Sequence, residues 1–362
     1  MRSIYFLVLY FVIPFFNFNS ETQKVETAFN DFKKIKKEVL KIAKKKNIPA
    51  FDLLIQKGTE KFELSYHHPK LKAQTVYGIG SATKLLAATL IFKLIEEGEI
   101  TLNDPVSKHI DFLPNEYIAN ITIKQLLNHT SGLADYTQNP QWIQQVINGQ
   151  APKTFAEKLA LINTEQNHTN SFSYSNTNYV FLEEIVSKIT NQSFQEAFNR
   201  FYKNLGFETI QIGETPENTI AFFAQDEEKS SNVSEWREHY GFDGGAYATT
   251  EEMNLFLHKI FIEKSILQQS SLNMMQTWTS MQPMEIPIGK SGKLAEYGYG
   301  IMKLSNKNQT YIGHSGGTLK YQSFLFYNEA NTTSISFTTN CSGLHYNYIF
   351  FQEMIPVVLD RL

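Results

Sequence analysis

Ser81 and Lys84 stand three residues apart in the run Ser81-Ala82-Thr83-Lys84, and no other serine of the 362-residue chain has a lysine at that spacing. On a helix, residues three apart share a face, so the ammonium lies beside the hydroxyl. A serine hydroxyl is a poor nucleophile until a neighbour takes its proton, and a lysine whose free base is favoured by burial can do so. A serine at a helix start also carries an unpaired backbone N–H, which can bind the oxyanion of a tetrahedral intermediate with help from the helix dipole. The same residues also describe a helix-capping serine beside an exposed lysine, and on their own they do not decide between the two.

Two further clusters bear on that choice. Tyr174-Ser175-Asn176 sits in a loop just ahead of a helical pattern. A tyrosine near an ammonium can have its phenol acidified and pass a proton to a leaving group, while an asparagine amide can hold both a substrate carbonyl and the lysine. In isolation the triplet reads as turn chemistry. His314-Ser315-Gly316-Gly317 follows the strand-like 310–312. Glycines there let a substrate backbone lie against the strand edge, and the Gly317 N–H can complete an oxyanion hole. With Gly313 the same stretch spells G-x-S-x-G, the nucleophile elbow of α/β-hydrolases. That elbow demands a helix directly after it, whereas residues 318–327 alternate as a strand does, which disfavours it.

The elements that must position these groups are readable from period and capping. Val25, Phe29, Phe32, Val39 and Ile42 recur near helical spacing, with lysines on the other face as a solvated surface, until Asn47-Ile48-Pro49 ends the helix. Residues 51–56 and 62–66 form a hairpin around Lys57-Gly58-Thr59. Residues 81–98 form a mostly buried helix with a glycine stop, and Ser81 at or near its start. The middle of the chain reads as helices, clearest at 123–129, 154–162, 179–189 and 194–205, with few strand signals. After the turn Asp243-Gly244-Gly245, Thr249 and Glu252 predict a capping box. Strands follow at 297–303, 310–313, 321–327 and 333–339, then a helix over 348–362. That order predicts an α+β fold, an antiparallel sheet flanked by helices with an inserted all-helical domain. The sheet domain is expected at 21–110 plus 241–362, and the helical domain at 111–240.

Bulk properties set the outer limits. With 42% hydrophobic and 14% aromatic residues the chain can fill a sizeable core. The balance of 33 basic against 36 acidic residues carries no footprint for a phosphate backbone, so no nucleic-acid partner is expected. The single cysteine, Cys341, excludes an intrachain disulfide and leaves no zinc or redox spacing. Arg2 ahead of the apolar Ile4–Phe16 stretch, interrupted by Pro14, reads as an export signal over residues 1–20, cut near Ser20 and too short to span a bilayer. A periplasmic or extracellular protein without a stable membrane span is expected.

In the order Ser81-x-x-Lys84, Tyr174-x-Asn176, His314-x-Gly316, the three motifs resemble those of the penicillin-recognising serine hydrolases, specifically the class C β-lactamase and D-alanyl-D-alanine carboxypeptidase family. The likeness continues through 77–105, Leu126-Leu127-Asn128-His129-Thr130-Ser131-Gly132, 172–179 and 313–317, and covers nearly all of the mature chain. It implies a β-lactamase/transpeptidase-like fold with a cleft where the two domains meet. Ser81 would be acylated, Lys84 and Tyr174 would manage its proton with either as the main base, and Asn176 would orient the substrate amide. The N–H groups of Ser81 and Gly317 would form the oxyanion hole, with His314, Ser315, Gly316 and Gly317 as a substrate-binding wall. His129, Gly132 and the 243–250 turn look like scaffold. No metal or organic cofactor is implied, and the partner is a small-molecule or peptide acyl donor.

One departure concerns substrate. Class C β-lactamases usually place lysine where His314 stands, and a histidine, mostly neutral at neutral pH, attracts a substrate carboxylate less. The expected activity is hydrolysis of a D-alanyl peptide or related amide through a Ser81 acyl-enzyme. The alternatives are a carboxylesterase or β-lactamase on the same site, or a penicillin-binding receptor without turnover.

Overall fold

The structure is a computed structural model and describes residues 18–68, 75–165, 170–220 and 239–362. Of the expected export segment, residues 1–17 lie outside those described, and Phe18 to Ser20 open the first helix, α1 (Phe18–Lys45). On α1, Phe32, Ile35, Val39 and Ala43 are buried while Lys36, Lys37, Lys41, Lys44 and Lys45 are exposed, the two faces that the period predicts.

The strands in chain order are β1 (Ala50–Lys57), β2 (Glu60–His67), β3 (Val76–Gly78), β4 (Gln211–Ile212), β5 (Ala246–Thr249) and β6 (Thr279–Ser280). They continue with β7 (Ile286–Ile288), β8 (Gly292–Tyr297), β9 (Met302–Asn306), β10 (Gln309–Gly317), β11 (Gln322–Asn328) and β12 (Thr333–Thr339). Among the described residues a nine-stranded antiparallel sheet runs β2-β1-β12-β11-β10-β9-β8-β6, with β7 also on β8. The first and last strands pair in register, Phe51 opposite Thr339 through Lys57 opposite Thr333, so both chain ends build one sheet. A small second sheet has the order β3-β5-β4.

Both faces of the large sheet are covered. On β11, Phe324 and Phe326 join a core with α1 and the C-terminal helices, while Leu325 and Tyr327 face a core with α2 (Thr83–Glu96) and the helices of the middle segment. Successive side chains on a strand point to opposite faces, so a strand covered on both sides reads as a continuous apolar run. Helix α2 is itself apolar nearly all round, with Leu85, Leu86, Ala87, Ala88, Ile91 and Phe92 at zero exposure. Such a helix belongs in the interior.

Several local expectations are corrected. The strand expected over 297–303 is two strands: the Gly298 N–H donates to the Ile301 carbonyl at 2.7 Å and Gly300 sits at φ +74°, which makes a turn between β8 and β9. The stretch 310–313 extends to Gly317 inside β10 and is followed by β11 rather than a helix, which removes the nucleophile-elbow reading. Only half of the Thr249 capping box forms. The Thr249 hydroxyl accepts from the Glu252 N–H, but the Glu252 carboxylate instead accepts from the N–H groups of Glu208, Thr209 and Ile210 at 2.7, 2.8 and 3.0 Å. Tertiary donors outcompete the helix's own. The final helix begins earlier than expected, at Leu344–Tyr348, and passes through π-helical turns at Ile349–Met354 into Ile355–Leu359. Among the described residues no helix is long and apolar enough to cross a membrane.

Candidate active site

Ser81 lies in a single 3-10 turn, Gly80–Ala82, that leads into α2. Gly80 is left-handed at φ +54°, and a Cβ added to it would lie 2.7 Å from N and 2.8 Å from O of Gly317. Gly316 meets the same turn, where a Cβ would come within 2.0 Å of the Ile79 carbonyl oxygen. The Ser323 hydroxyl donates to that carbonyl at 2.7 Å. The end of β10 and the turn are therefore pressed backbone to backbone, which only glycine permits at positions 80 and 316. This brings the Ser81 and Gly317 main chains side by side. The helix-capping reading of Ser81 is not what forms, since no side chain caps the start of α2 and the Ser81 Oγ accepts from Lys84.

Lys84 has no exposed surface. Its Nζ donates to Ser81 Oγ at 3.2 Å, to Asn176 Oδ1 at 2.8 Å, and to the main-chain carbonyl of Asp243. None of these acceptors is charged. Burial pushes the ammonium down to about 8, against the pull of the carboxylates of Asp243, Asp135 and Glu183. Asn176 is aimed from its other end, because its Nδ2 donates to Asp135 Oδ2 at 3.0 Å and so turns the amide oxygen toward Lys84.

The Tyr174 ring faces Lys84 Nζ at 5.0 Å from its centroid. Its hydroxyl oxygen is buried without a well-formed hydrogen bond. Burial pushes the phenol well above its ordinary value, with the Ser81 hydroxyl near enough to oppose that shift. The expectation of an acidified phenol is thereby reversed: desolvation of the phenolate outweighs the opposing influence of the Ser81 hydroxyl. His129 stacks on the Tyr174 ring at 4.2 Å. Its Nδ1 accepts from the Ser175 N–H at 3.2 Å and lies 2.9 Å from Asn178 Nδ2, so its ring holds the loop that carries Tyr174 and Asn176.

His314 differs from its expected place in the substrate wall. It has no exposed surface, and both ring nitrogens are engaged, Nε2 with the Tyr297 hydroxyl at 2.9 Å and Nδ1 with the Ser315 carbonyl at 2.6 Å. A carbonyl can only accept, so the proton sits on Nδ1 and Tyr297 donates to Nε2. Burial, with the Lys84 charge nearby, pushes the imidazole down to about 3, so it is neutral and offers no cation to a ligand. The Ser315 hydroxyl reaches Met302 Sδ at 3.6 Å. Gly317, by contrast, is exposed with open space where a side chain would be.

Ser81, Lys84, Tyr174, Asn176 and Gly317 thus surround one point, while His314 and Ser315 support it from behind. Sequence reasoning missed the Asp243 carbonyl and Asp135. Nothing in a sequence marks a main-chain oxygen as a lysine acceptor, although the turn at Asp243 was visible. The geometry can hold a serine hydroxyl against an amine and place two backbone N–H donors nearby, the parts that acyl transfer needs.

The chain is similar to known proteins in both sequence and fold. The Beta-lactamase family profile matches residues 41–347. The chain is 27% identical over 343 positions to Protein flp of Staphylococcus aureus (strain N315), covering 88% of this chain and 63% of that protein, so it spans less than two thirds of that relative's length. In structure it is similar to the D-amino acid amidase from Ochrobactrum anthropi SV3, with a TM-score of 0.77 at 20% identity over 92% of this chain and 98% of that one. The octameric penicillin-binding protein homologue from Pyrococcus abyssi superposes with a TM-score of 0.71 at 24% identity, covering 90% and 77% of the two chains. On the strength of the profile match across most of its length, the chain belongs to the Beta-lactamase family.

Proposed function

We propose that the protein hydrolyses amides of D-configured amino acids or short D-peptides through a Ser81 acyl-enzyme. The observation that carries this reading is Lys84 Nζ, held between Ser81 Oγ at 3.2 Å and Asn176 Oδ1 at 2.8 Å with only uncharged acceptors in contact. In that setting the free amine is accessible near neutral pH, so Lys84 takes the Ser81 proton as the hydroxyl attacks the carbonyl. The N–H groups of Ser81 and Gly317 receive the oxyanion, and Asn176 positions the substrate amide. Tyr174, with its phenol held protonated, delivers a proton to the departing amine and is re-protonated from Lys84. Water then attacks the acyl-enzyme by the same route in reverse.

The environment of His314 supports this substrate class. A neutral, enclosed imidazole gives a substrate carboxylate no counter-charge, which favours a neutral amide or ester over penicillin or a free C-terminal D-alanine. The amidase neighbour is consistent with that preference. We further propose that residues 1–20 direct export. The decisive experiment incubates the protein and its Ser81→Ala variant with D-phenylalanine amide, D-alanyl-D-alanine, an ester and a fluorescent penicillin. Turnover of the amide, lost in the variant, is expected. Amide turnover that survives Ser81→Ala sinks the mechanism, and penicillin hydrolysis faster than amide hydrolysis sinks the substrate assignment.

A further inference from the structure

Lys158, on the helix Phe155–Leu159, and Glu183, on the helix Thr177–Thr190, form an ion pair at 2.8 Å with side chains 0% and 4% exposed. Replacing a buried ion pair with apolar residues is often neutral for stability, so stability alone is a weak reason for this one. Its surroundings supply another. The second carboxylate oxygen of Glu183 accepts from the Phe242 N–H at 2.8 Å. Gly241 lies so close that an added Cβ would sit 1.9 Å from the same oxygen, so the backbone itself rests on the carboxylate. Asp243, the residue after Phe242, offers its main-chain carbonyl to Lys84 Nζ. Its side chain is gripped from the other side by the Tyr136 hydroxyl at 2.5 Å and by His239 Nδ1 at 2.7 Å.

We propose that the Lys158–Glu183 pair is a positioning device for Lys84, holding the 241–243 turn so that the Asp243 carbonyl meets the lysine amine. One helix then controls the amine twice: Asn176 at its start accepts from Lys84 directly, and Glu183 acts through the turn. The charged groups that act on Lys84 are Asp243, Asp135 and Glu183, and the neighbouring His129 and His314 are held neutral. The catalytic consequence rests on the acyl-transfer reading above, whereas the structural link does not.

The test removes the pair as a unit, so that neither charge is stranded in the core. Lys158→Met with Glu183→Gln keeps an acceptor for the Phe242 N–H, and Lys158→Met with Glu183→Leu does not. Two quantities are read: the titration of Lys84 Nζ by nitrogen-15 NMR in the resting protein, and the rate of Ser81 acylation against pH, with denaturation midpoints confirming that both variants fold. In the glutamine variant the Lys84 titration should move to lower pH, because a carboxylate that favours the ammonium is gone, while the plateau acylation rate stays within about threefold of the parent. The leucine variant should lose at least about tenfold at the plateau and show a shifted Lys84 resonance, because a misplaced acceptor misaligns the amine. A folded leucine variant with the parent's resonance and rate overturns the proposal, as do equal losses in both variants. The NMR arm needs no substrate, so it separates this inference from failure of the acyl-transfer reading.

Discussion

Lys84 and Lys158 are both fully buried lysines on helices, and they end in opposite electrostatic states. Lys158 touches the Glu183 carboxylate, which keeps its ammonium above the ordinary lysine value in spite of burial. Lys84 touches a hydroxyl, an amide oxygen and a main-chain carbonyl, and burial pulls it down to about 8. Burial therefore does not by itself make a lysine a base. The formal charge of the group in contact decides, because neutral acceptors fix the position of the nitrogen without fixing its proton.

The comparison breaks most visibly at the chemistry. Ser81→Ala and Lys84→Met should each reduce acylation by about a thousandfold or more, measured as adduct formation by mass spectrometry. Lys84→Met should leave the denaturation midpoint unchanged or raised, because a buried amine without a counter-charge contributes little to folding. Lys158→Met alone strands Glu183 and should cost about 3–5 kcal/mol in urea denaturation. Equal stability losses at the two lysines would erase the distinction between them.

The next effect is in pH. The free amine of Lys84 is lost as pH falls below about 8, so acylation should level off above that value and fall about tenfold per unit beneath it, to about one hundredth at pH 6. A rate that still climbs beyond about pH 10 would assign the base role to the Tyr174 phenol instead.

The last effect, read only in acid, concerns the support behind the site. The folded pKa of His314 is depressed to about 3, below its unfolded value, so its contribution is present above about pH 6.5 and is lost as pH falls toward 3. Each unit in that window should remove about 1.4 kcal/mol, read as melting temperature against pH, and His314→Asn should flatten the slope. An unchanged slope would place the acid sensitivity elsewhere.

Much of the fold was legible in the sequence where the signal is local. Alternation in 333–339 marked β12, and the helical patterns over 154–162 and 194–205 marked the helices Phe155–Leu159 and Phe194–Asn204. The signal failed where distant groups intervened. Residues 292–297 alternate too weakly to announce β8, and Glu252 leaves its own helix start for the 208–210 backbone.

The same division runs through the site. Sequence alone determined that Ser81 and Lys84 share a helix face, because three residues of helix fix that relation whatever surrounds them, and that glycines at 316 and 317 leave a backbone open to approach. Only the tertiary structure decided that Lys84 is held by Asn176 and Asp243, 92 and 159 residues away, that the Tyr174 phenol is raised rather than acidified, and that His314 supports the site from behind. Those outcomes depend on desolvation and on contacts between remote segments, and neither quantity exists until the chain has folded around them.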